Sequence, residues 1–364
     1  MTPSPDPIEA VSQRLDDFFM AQRVATAEMG PEAELIVEAG VAAVSGGKRL
    51  RARFCIAGWR AVAEAAGPAA ELADDLLAAA AALEIFHAAA LVHDDIIDNS
   101  DTRRGRPSAH RALEASHRAA GWTGDPEAFG RAGAVLLGDL LVAWSDDLLE
   151  AGIASSASSR ASAARAQYAL MRRDVTIGQF LDVAEESAFR TEPDDRHASR
   201  ALRVASLKSA RYSIQQPLLI GAALAGADDA QLAALGAFGH PVGMAFQLRD
   251  DILGVFGDAA VTGKPSGDDL REGKRTVLVA FARESLPAGP RALVDELIGD
   301  PSLDDVQIAA LQRTIRDTGA LDRVETLISD FAREADRALS GARLGHAAVG
   351  ELRDLARAAT TRSA

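Results

Sequence analysis

The sequence predicts an all-α protein, a single large helical bundle built around a central cavity. Alanine is abundant while only 5% of the residues are aromatic, a balance that suits close-packed helices better than a β-sandwich. Long apolar stretches recur at helical spacing. Two aspartate pairs far apart in the chain stand in apolar helical frames and can face each other across a cavity. Length alone suggests about two domains for 364 residues. No linker interrupts the series of motifs, so one domain over residues 1–364 is expected, with the Pro-rich residues 1–7 mobile.

Composition excludes several classes. A net charge of −14 argues against a nucleic-acid-binding surface. Cys55 is alone, so no disulfide framework exists and a reducing cytoplasm is expected. The first residues, M-T-P-S-P-D-P, lack the basic and apolar regions of a signal peptide. Residues 76–93 come nearest to a membrane span. Glu84 and His87 interrupt them and the alanines add little hydrophobicity, so a buried core helix is expected and no span.

Along the chain, Ile8, Val11, Leu15, Phe18 and Phe19 mark a first helix over about 8–28. A second helix ends at Gly46-Gly47, which open a basic run of Lys48, Arg49, Arg51 and Arg53. The next helix, E-I-F-H-A-A-A-L-V-H-D-D-I-I-D, finishes on Asp94, Asp95 and Asp98. Asp94 and Asp98 stack one turn apart, where neighbouring carboxylates repel by roughly 1–4 kcal/mol. That arrangement calls for a cation, and hard oxygen ligands suit Mg²⁺. The forked guanidinium groups of Arg103 and Arg104 follow and suit phosphate oxygens. Acids, metal and arginines together describe a diphosphate clamp. A lone D-x-x-x-D would read as a solvated helix end, but F-Q-L-R-D-D-I-L-G brings a second pair, Asp250 and Asp251, with Gln247 one turn earlier.

Between the two acidic sites, residues 121–130 read as a loop, 152–164 as a helix connection and 184–197 as a surface loop. T-I-G-Q-F-L-D-V sets Gln179 and Asp182 on one helical face, and L-K-S-A-R-Y-S carries Lys208 and Ser209 on another helix. The Gly-rich, charged stretch from Gly257 to Thr276 fits a long functional loop, and amphipathic helices fill residues 276–355.

From about residue 40 to 280 these motifs, in this order, resemble the trans-isoprenyl diphosphate (polyprenyl) synthases, in a geranylgeranyl diphosphate synthase-like form. The resemblance implies Mg²⁺-dependent condensation of isopentenyl diphosphate with an allylic diphosphate (dimethylallyl, geranyl or farnesyl), a homodimer, and three Mg²⁺ per active site. It places Asp94, Asp95, Asp98, Asp182, Asp250 and Asp251 in the metal shell. Lys48, Arg51, His87 and Arg104 are implied on isopentenyl diphosphate. Arg103, Gln179, Lys208, Ser209, Lys264 and Lys274 are implied around the allylic diphosphate, and Gln247 beside the second acidic site. Asp139 is implied as structural, and His93 adjoins the aspartates without binding metal. Three positions depart from the family pattern. Ala52 stands where proline is commoner, Ser209 replaces threonine, and Gly254 replaces a third aspartate, whose oxygen water would supply.

Product length is expected to depend on the residues below Asp94. Ala89 and Ala90 are small. Phe86, eight residues before Asp94, lies about 12 Å along the helix. A growing tail that passes the alanines and stops near Phe86 gives geranylgeranyl diphosphate; farnesyl or longer products are the alternatives, and Phe86 merely packed against a neighbouring helix is the plainer reading. Three rivals exist. An HD-type phosphohydrolase needs more histidine ligands than the seven residues offer, since His87 is the sole other one in a matched motif. A terpene cyclase lacks the G-G-K-R and Arg-Arg segments, and a non-catalytic partner subunit would not keep nearly every charged motif residue.

Overall fold

The computed structural model describes residues 6–67, 72–258 and 265–360. The chain opens with α1 (Pro7–Thr26), α2 (Pro31–Val44), α3 (Leu50–Ala66) and α4 (Asp74–Ile97). Asp6 caps α1, its Oδ1 accepting from the Ile8 N–H at 3.0 Å. Pro7 sits in the first turn, where its missing N–H leaves nothing unpaired. Asp6 and Pro7 are therefore anchored rather than part of a mobile leader, and residues 1–5 of that expected segment lie outside the described residues.

A central position falls to α4. Ala78 to Leu83 and Ile85 have no exposed surface, and α1, α2, α3, α5 (Ala109–Ala119) and α6 (Pro126–Ile153) pack around this helix. Each buried Leu or Ile contributes about 2 kcal/mol, while the alanines let the neighbouring backbones approach. Among the described residues α4 is the one helix long and apolar enough to cross a membrane, yet 72% of its apolar window is buried inside the fold.

The chain continues through α7 (Ser158–Ala188), α8 (His197–Val204), a π-helical segment (Ala205–Gln215), α9 (Gln216–Ala225) and α10 (Asp229–Phe256). Pro217, in the first turn of α9, has no N–H to give to an α-helical ladder, which favours the wider turns before it. Then come α11 (Asp268–Glu272), α12 (Val277–Ser285), α13 (Ala288–Leu297), α14 (Asp305–Asp317), α15 (Ala320–Ala338) and α16 (His346–Thr360). A second apolar cluster joins α10 to α12, α14 and α15. A third ties α3, α9 and α10 to α15 and α16.

Four loop expectations differ from the structure: α7 already begins at Ser158, so the 152–164 connection shrinks to residues 154–157, and the loop expected from Gly257 to Thr276 carries α11, whose Leu270 is fully buried. Asp125 and Pro126 begin α6, so the 121–130 loop ends at the cap. Helix α7 runs on to Ala188 and gives way to two 3₁₀ turns, Phe189–Thr191 and Asp194–Arg196. Phe189 is buried there with the Arg275 guanidinium 3.5 Å above its ring. Among the described residues the only sheet is a two-residue hairpin pairing Thr102–Arg103 with Arg106–Pro107. Its corner, Arg104 and Gly105, has φ of 53° and 72°, the geometry of a tight primed turn.

Candidate active site

The first acidic site forms where α4, α7 and the π segment meet. Gly178 allows the contact: a Cβ there would lie 2.4 Å from the Lys208 backbone nitrogen. Close approach sets Lys208 against the face of α7 that carries Gln179 and Asp182. Lys208 Nζ lies 2.6 Å from Asp182 Oδ2 and 3.3 Å from Asp94 Oδ1, and Gln179 Nε2 donates to Asp94 Oδ1 at 3.1 Å. From the hairpin, Arg103 turns back over α4. Its Nε donates to buried Asp95 at 2.8 Å, and its Nη2 stands 3.6 Å from Asp94. Ser209 follows Lys208 in the π segment, half-buried.

The second acidic site stands at the end of α10. Asp251 is buried and accepts from Gln247 Nε2 at 2.6 Å; Asp250 beside it is exposed. Lys274 connects this region to the first site. Its Nζ lies 3.7 Å from Asp98, 3.6 Å from Asp269 and 2.5 Å from Glu272. Lys264 lies outside the described residues.

A separate basic cradle lies behind α4. Arg51 is buried, donates to Ser213 Oγ at 2.8 Å and stacks 4.1 Å from the Tyr212 ring centroid. The Tyr212 hydroxyl meets His87 Nδ1 at 3.1 Å. Arg104, on the hairpin corner, points away from Arg103: it donates to the Ser45 carbonyl at 3.0 Å and covers Gly47, where a Cβ would lie 2.9 Å from its guanidinium. Arg49 reaches buried Glu84 at 3.6 Å. Lys48 is exposed beside Gly47.

These positions set the charges. Burial raises Asp94, but Lys208, Lys274 and Arg103 outweigh it and hold the carboxyl below its ordinary range. Burial, reinforced by Asp94, pushes Asp98 up to about 6. Burial, then Asp269, Asp250 and Asp182, pushes Asp251 up to about 8, so both acidic sites lie within electrostatic reach of Asp182. Burial and the four arginines Arg51, Arg104, Arg103 and Arg49 drive His87 well below its usual value. It is a neutral imidazole in a strongly positive pocket.

The donors around the two acidic sites are carboxylates and the two carboxamides of Gln179 and Gln247, a hard oxygen set that fits Mg²⁺. Among the described residues no three carboxylate, imidazole or thiol groups stand together as a ready-made metal cluster; Arg103, Lys208 and Lys274 are interleaved between the acids. His93 stays apart, 3.5 Å from Asp139.

Several site residues were not singled out from the sequence. Tyr212 follows Lys208 by one turn, and Glu84 reads only as a polar break in an apolar helix. Glu186 stands one turn beyond Asp182; burial, then Asp182 and Asp98, push it up to about 7. Asp269 was hidden in a charged loop. Below Asp94, Ala89 is fully buried, and Phe86 packs edge-on against Tyr168 and Tyr212 at 6.2 and 5.9 Å between ring centroids.

Comparison with known proteins identifies the family. Residues 33–315 match the polyprenyl synthetase family model. A geranylfarnesyl diphosphate synthase of Aeropyrum pernix is 34% identical over 302 residues, covering 81% of this chain and 84% of that enzyme. A geranylgeranyl diphosphate synthase of Mycobacterium tuberculosis is 35% identical over 67% of this chain, which spans 61% of that enzyme's length. Among solved structures, a Corynebacterium glutamicum geranylgeranyl pyrophosphate synthase complexed with isoprenyl diphosphate and magnesium superposes with a TM-score of 0.91 at 38% identity, over the whole of both chains. The chain belongs to the polyprenyl synthetase family and is an all-α prenyltransferase.

Proposed function

We propose that this prenyltransferase joins isopentenyl diphosphate to an allylic diphosphate, as a single polyprenyl synthase domain, and releases geranylgeranyl diphosphate. The observation that carries the reading is the pair of lysine bridges. Lys208 joins Asp94 to Asp182, and Lys274 joins Asp98 to the end of the second acidic site, while a second group of arginines, Arg49, Arg51 and Arg104, acts on His87. Two diphosphate sites of different character suit a donor and an acceptor.

Three Mg²⁺ held by Asp94, Asp95, Asp98, Asp182, Asp250 and Asp251 would supply positive charge to a departing diphosphate. Lys208, Lys274, Arg103 and Lys264 hold the remaining oxygens of the allylic diphosphate. Gln179 fixes the Asp94 carboxylate, and Gln247 that of Asp251. Preorganised charge of this kind is the largest contribution available to an ionisation. Arg51, Arg104, Lys48 and neutral His87 hold isopentenyl diphosphate, so the acceptor double bond attacks in one orientation. Ala89 and Phe86 form part of a dry wall that keeps water from the allylic cation. The last proton leaves to the released diphosphate, and no protein nucleophile is needed.

Phe86, backed by Tyr168 and Tyr212, closes the space available to the tail and sets twenty carbons. The working enzyme is a cytoplasmic homodimer. Its contact face includes Leu136 on α6 and Phe180 on α7, which are 61% and 70% exposed, a large apolar surface to leave in water.

Incubation of the purified protein with Mg²⁺, isopentenyl diphosphate and labelled dimethylallyl, geranyl or farnesyl diphosphate tests the whole reading. Geranylgeranyl diphosphate is the expected product. Phosphate release without a longer prenyl chain points to a hydrolase, cyclic hydrocarbon to a terpene cyclase, and no turnover to a non-catalytic subunit.

A further inference from the structure

The turn that enters α3 carries its basic run at a strained point of the backbone. Gly46, Gly47 and Arg49 lie in the left-handed region, with φ of 76°, 85° and 52°; glycine takes this conformation freely, whereas an arginine seldom does. Arg49 is also the N-cap of α3, where its side chain offers no acceptor to the first turn. The Arg53 N–H makes the first helical bond, to the Arg49 carbonyl at 2.9 Å. The N–H groups of Leu50, Arg51 and Ala52 are left without a partner inside the helix.

Glu84 supplies one such partner from α4. Its side chain is only 4% exposed, and Oε1 accepts from the N–H of fully buried Ala52 at 3.1 Å. A carboxylate at the positive end of a helix is favourable. The other oxygen, Oε2, faces Arg49 Nη1 at 3.6 Å. The same Nη1 donates to the carbonyl of Val44, the last residue of α2, at 2.9 Å. The guanidinium thus spans the turn between α2 and α3 and ends on a buried acid. Glu84 stands one turn before His87 on the same face of α4, so the acid that holds the turn and the imidazole of the cradle belong to one helix.

We propose that Glu84 is a positioning residue for the isopentenyl diphosphate cradle: it caps α3 from outside and draws Arg49 inward as a brace of the turn, leaving Lys48 and Arg51 to meet the diphosphate. The inference rests on the reading of this cradle as the isopentenyl diphosphate site. The basic run is divided accordingly. Arg51 is held by Ser213 and Tyr212, Lys48 is exposed, and Arg49 is committed to Glu84. Ala52 makes the cap possible, since a proline there would present no N–H. The carboxylate also lies within electrostatic reach of Arg104 and Tyr212. A negative charge beside an anion site weakens binding by its Coulombic effect alone, so any gain in affinity from Glu84 comes from the order it imposes on its neighbours.

The test is initial-rate kinetics on the full chain, with isopentenyl diphosphate varied at saturating farnesyl diphosphate and then the reverse, for wild type, Glu84→Gln, Arg49→Met and the double variant. Glu84→Gln keeps an acceptor for Ala52 and loses the charge that holds Arg49. It is expected to raise KM for isopentenyl diphosphate about fivefold, the size of one ordinary hydrogen-bonded contact. Its kcat and its KM for farnesyl diphosphate should stay within about twofold of wild type, and its melting temperature within a few degrees. Arg49→Met should raise the same KM alike, and the double variant should match either single change to within about twofold, because both act through one contact. A lower KM for isopentenyl diphosphate in Glu84→Gln would overturn the inference and show an acid that only opposes the substrate. Single losses that multiply in the double variant would overturn it too, placing Arg49 on the substrate directly. Arg49→Met leaves the buried carboxylate in place, and an unchanged KM there overturns the inference even where Glu84→Gln is too unstable to assay. These outcomes leave the functional reading intact; failure of the wild type to elongate any prenyl diphosphate would overturn that reading, and the inference with it.

Discussion

Lys274 Nζ stands 3.7 Å from Asp98 Oδ2, so the segment that follows the second acidic motif touches the end of the helix that carries the first. Lys208 makes the parallel connection from Asp94 to Asp182. Each ammonium sits among carboxylates, and the pKa of Lys274 is driven well above the ordinary lysine value, Asp269, Glu272 and Asp98 outweighing the effect of burial. Both lysines stay charged across the physiological range.

Lys208→Ala is expected to lower kcat by about 10²–10³-fold, the usual loss when one preorganised charge is taken from a developing anion. Lys208→Arg should recover only part of this, because the planar fork cannot reproduce a point charge between two carboxylates. Steady-state kinetics with farnesyl diphosphate as primer gives the comparison. A loss confined to KM would remove Lys208 from the ionisation step.

His87 acts in the cradle as a neutral hydrogen-bonding group. His87→Ala should raise KM for isopentenyl diphosphate about tenfold, leave KM for the allylic substrate unchanged, and leave the pH profile between 6 and 8 unaltered. His87→Gln should restore much of the affinity, since a carboxamide also meets the Tyr212 hydroxyl. A rate profile that loses a limb near pH 6.5 in the alanine variant would show a titrating histidine instead.

The acidic sites make the metal-free protein pH-sensitive with a defined sign. An unfolded aspartate titrates near 3.9, whereas the native fold retains the Asp98 proton to about 6 and the Asp251 proton to about 8. From about pH 4 to 8 the native state therefore binds more protons than the unfolded state, so these two groups lower stability as pH rises and add no further slope above 8. Melting temperature in EDTA should fall across that window, and stabilisation by added Mg²⁺ should grow between pH 6 and 8 as metal displaces protons. Asp251→Asn should flatten the upper half of the decline. Scanning calorimetry from pH 5 to 8.5 reads all three; an Asp251→Asn curve parallel to wild type would contradict the assignment.

Phe86→Ala is expected to shift the main product beyond twenty carbons, by one isoprene unit or more, with KM for isopentenyl diphosphate little changed. Tyr168 and Tyr212 remain behind the shortened side chain, so extension should be limited rather than open-ended. Chromatography of dephosphorylated products measures it, and an unchanged chain length would assign Phe86 to core packing alone.

Much of this site was legible in the sequence. Asp94 and Asp98, one turn apart on an apolar helix, announced a site because their repulsion has no structural purpose. Arg103 and Arg104 were separable by role only through a family resemblance; the hairpin supplies the physical cause, since its left-handed corner turns Arg104 toward Gly47 while Arg103 folds back on Asp95. Asp269 was illegible because only the fold brings its carboxylate from a charged stretch of chain to the side of Asp251 and Gly254. Tyr212 stayed hidden because its position depends on the π segment, whose widened turn changes which residues share a face. Glu84 looked like an interruption of a core helix, yet its carboxylate accepts from the Ala52 N–H at 3.1 Å, a donor that the family's commoner proline could not offer.

A double-mutant cycle on Mg²⁺-dependent binding of inorganic pyrophosphate, measured calorimetrically for wild type, Asp94→Asn, Asp251→Asn and the double variant, bears most directly on whether the two acidic sites grip one diphosphate. Each single change should weaken binding strongly and the second should add little to the first, a coupling of at least about 1 kcal/mol. Losses that add to within about 0.5 kcal/mol would mean two independent sites and would contradict the account.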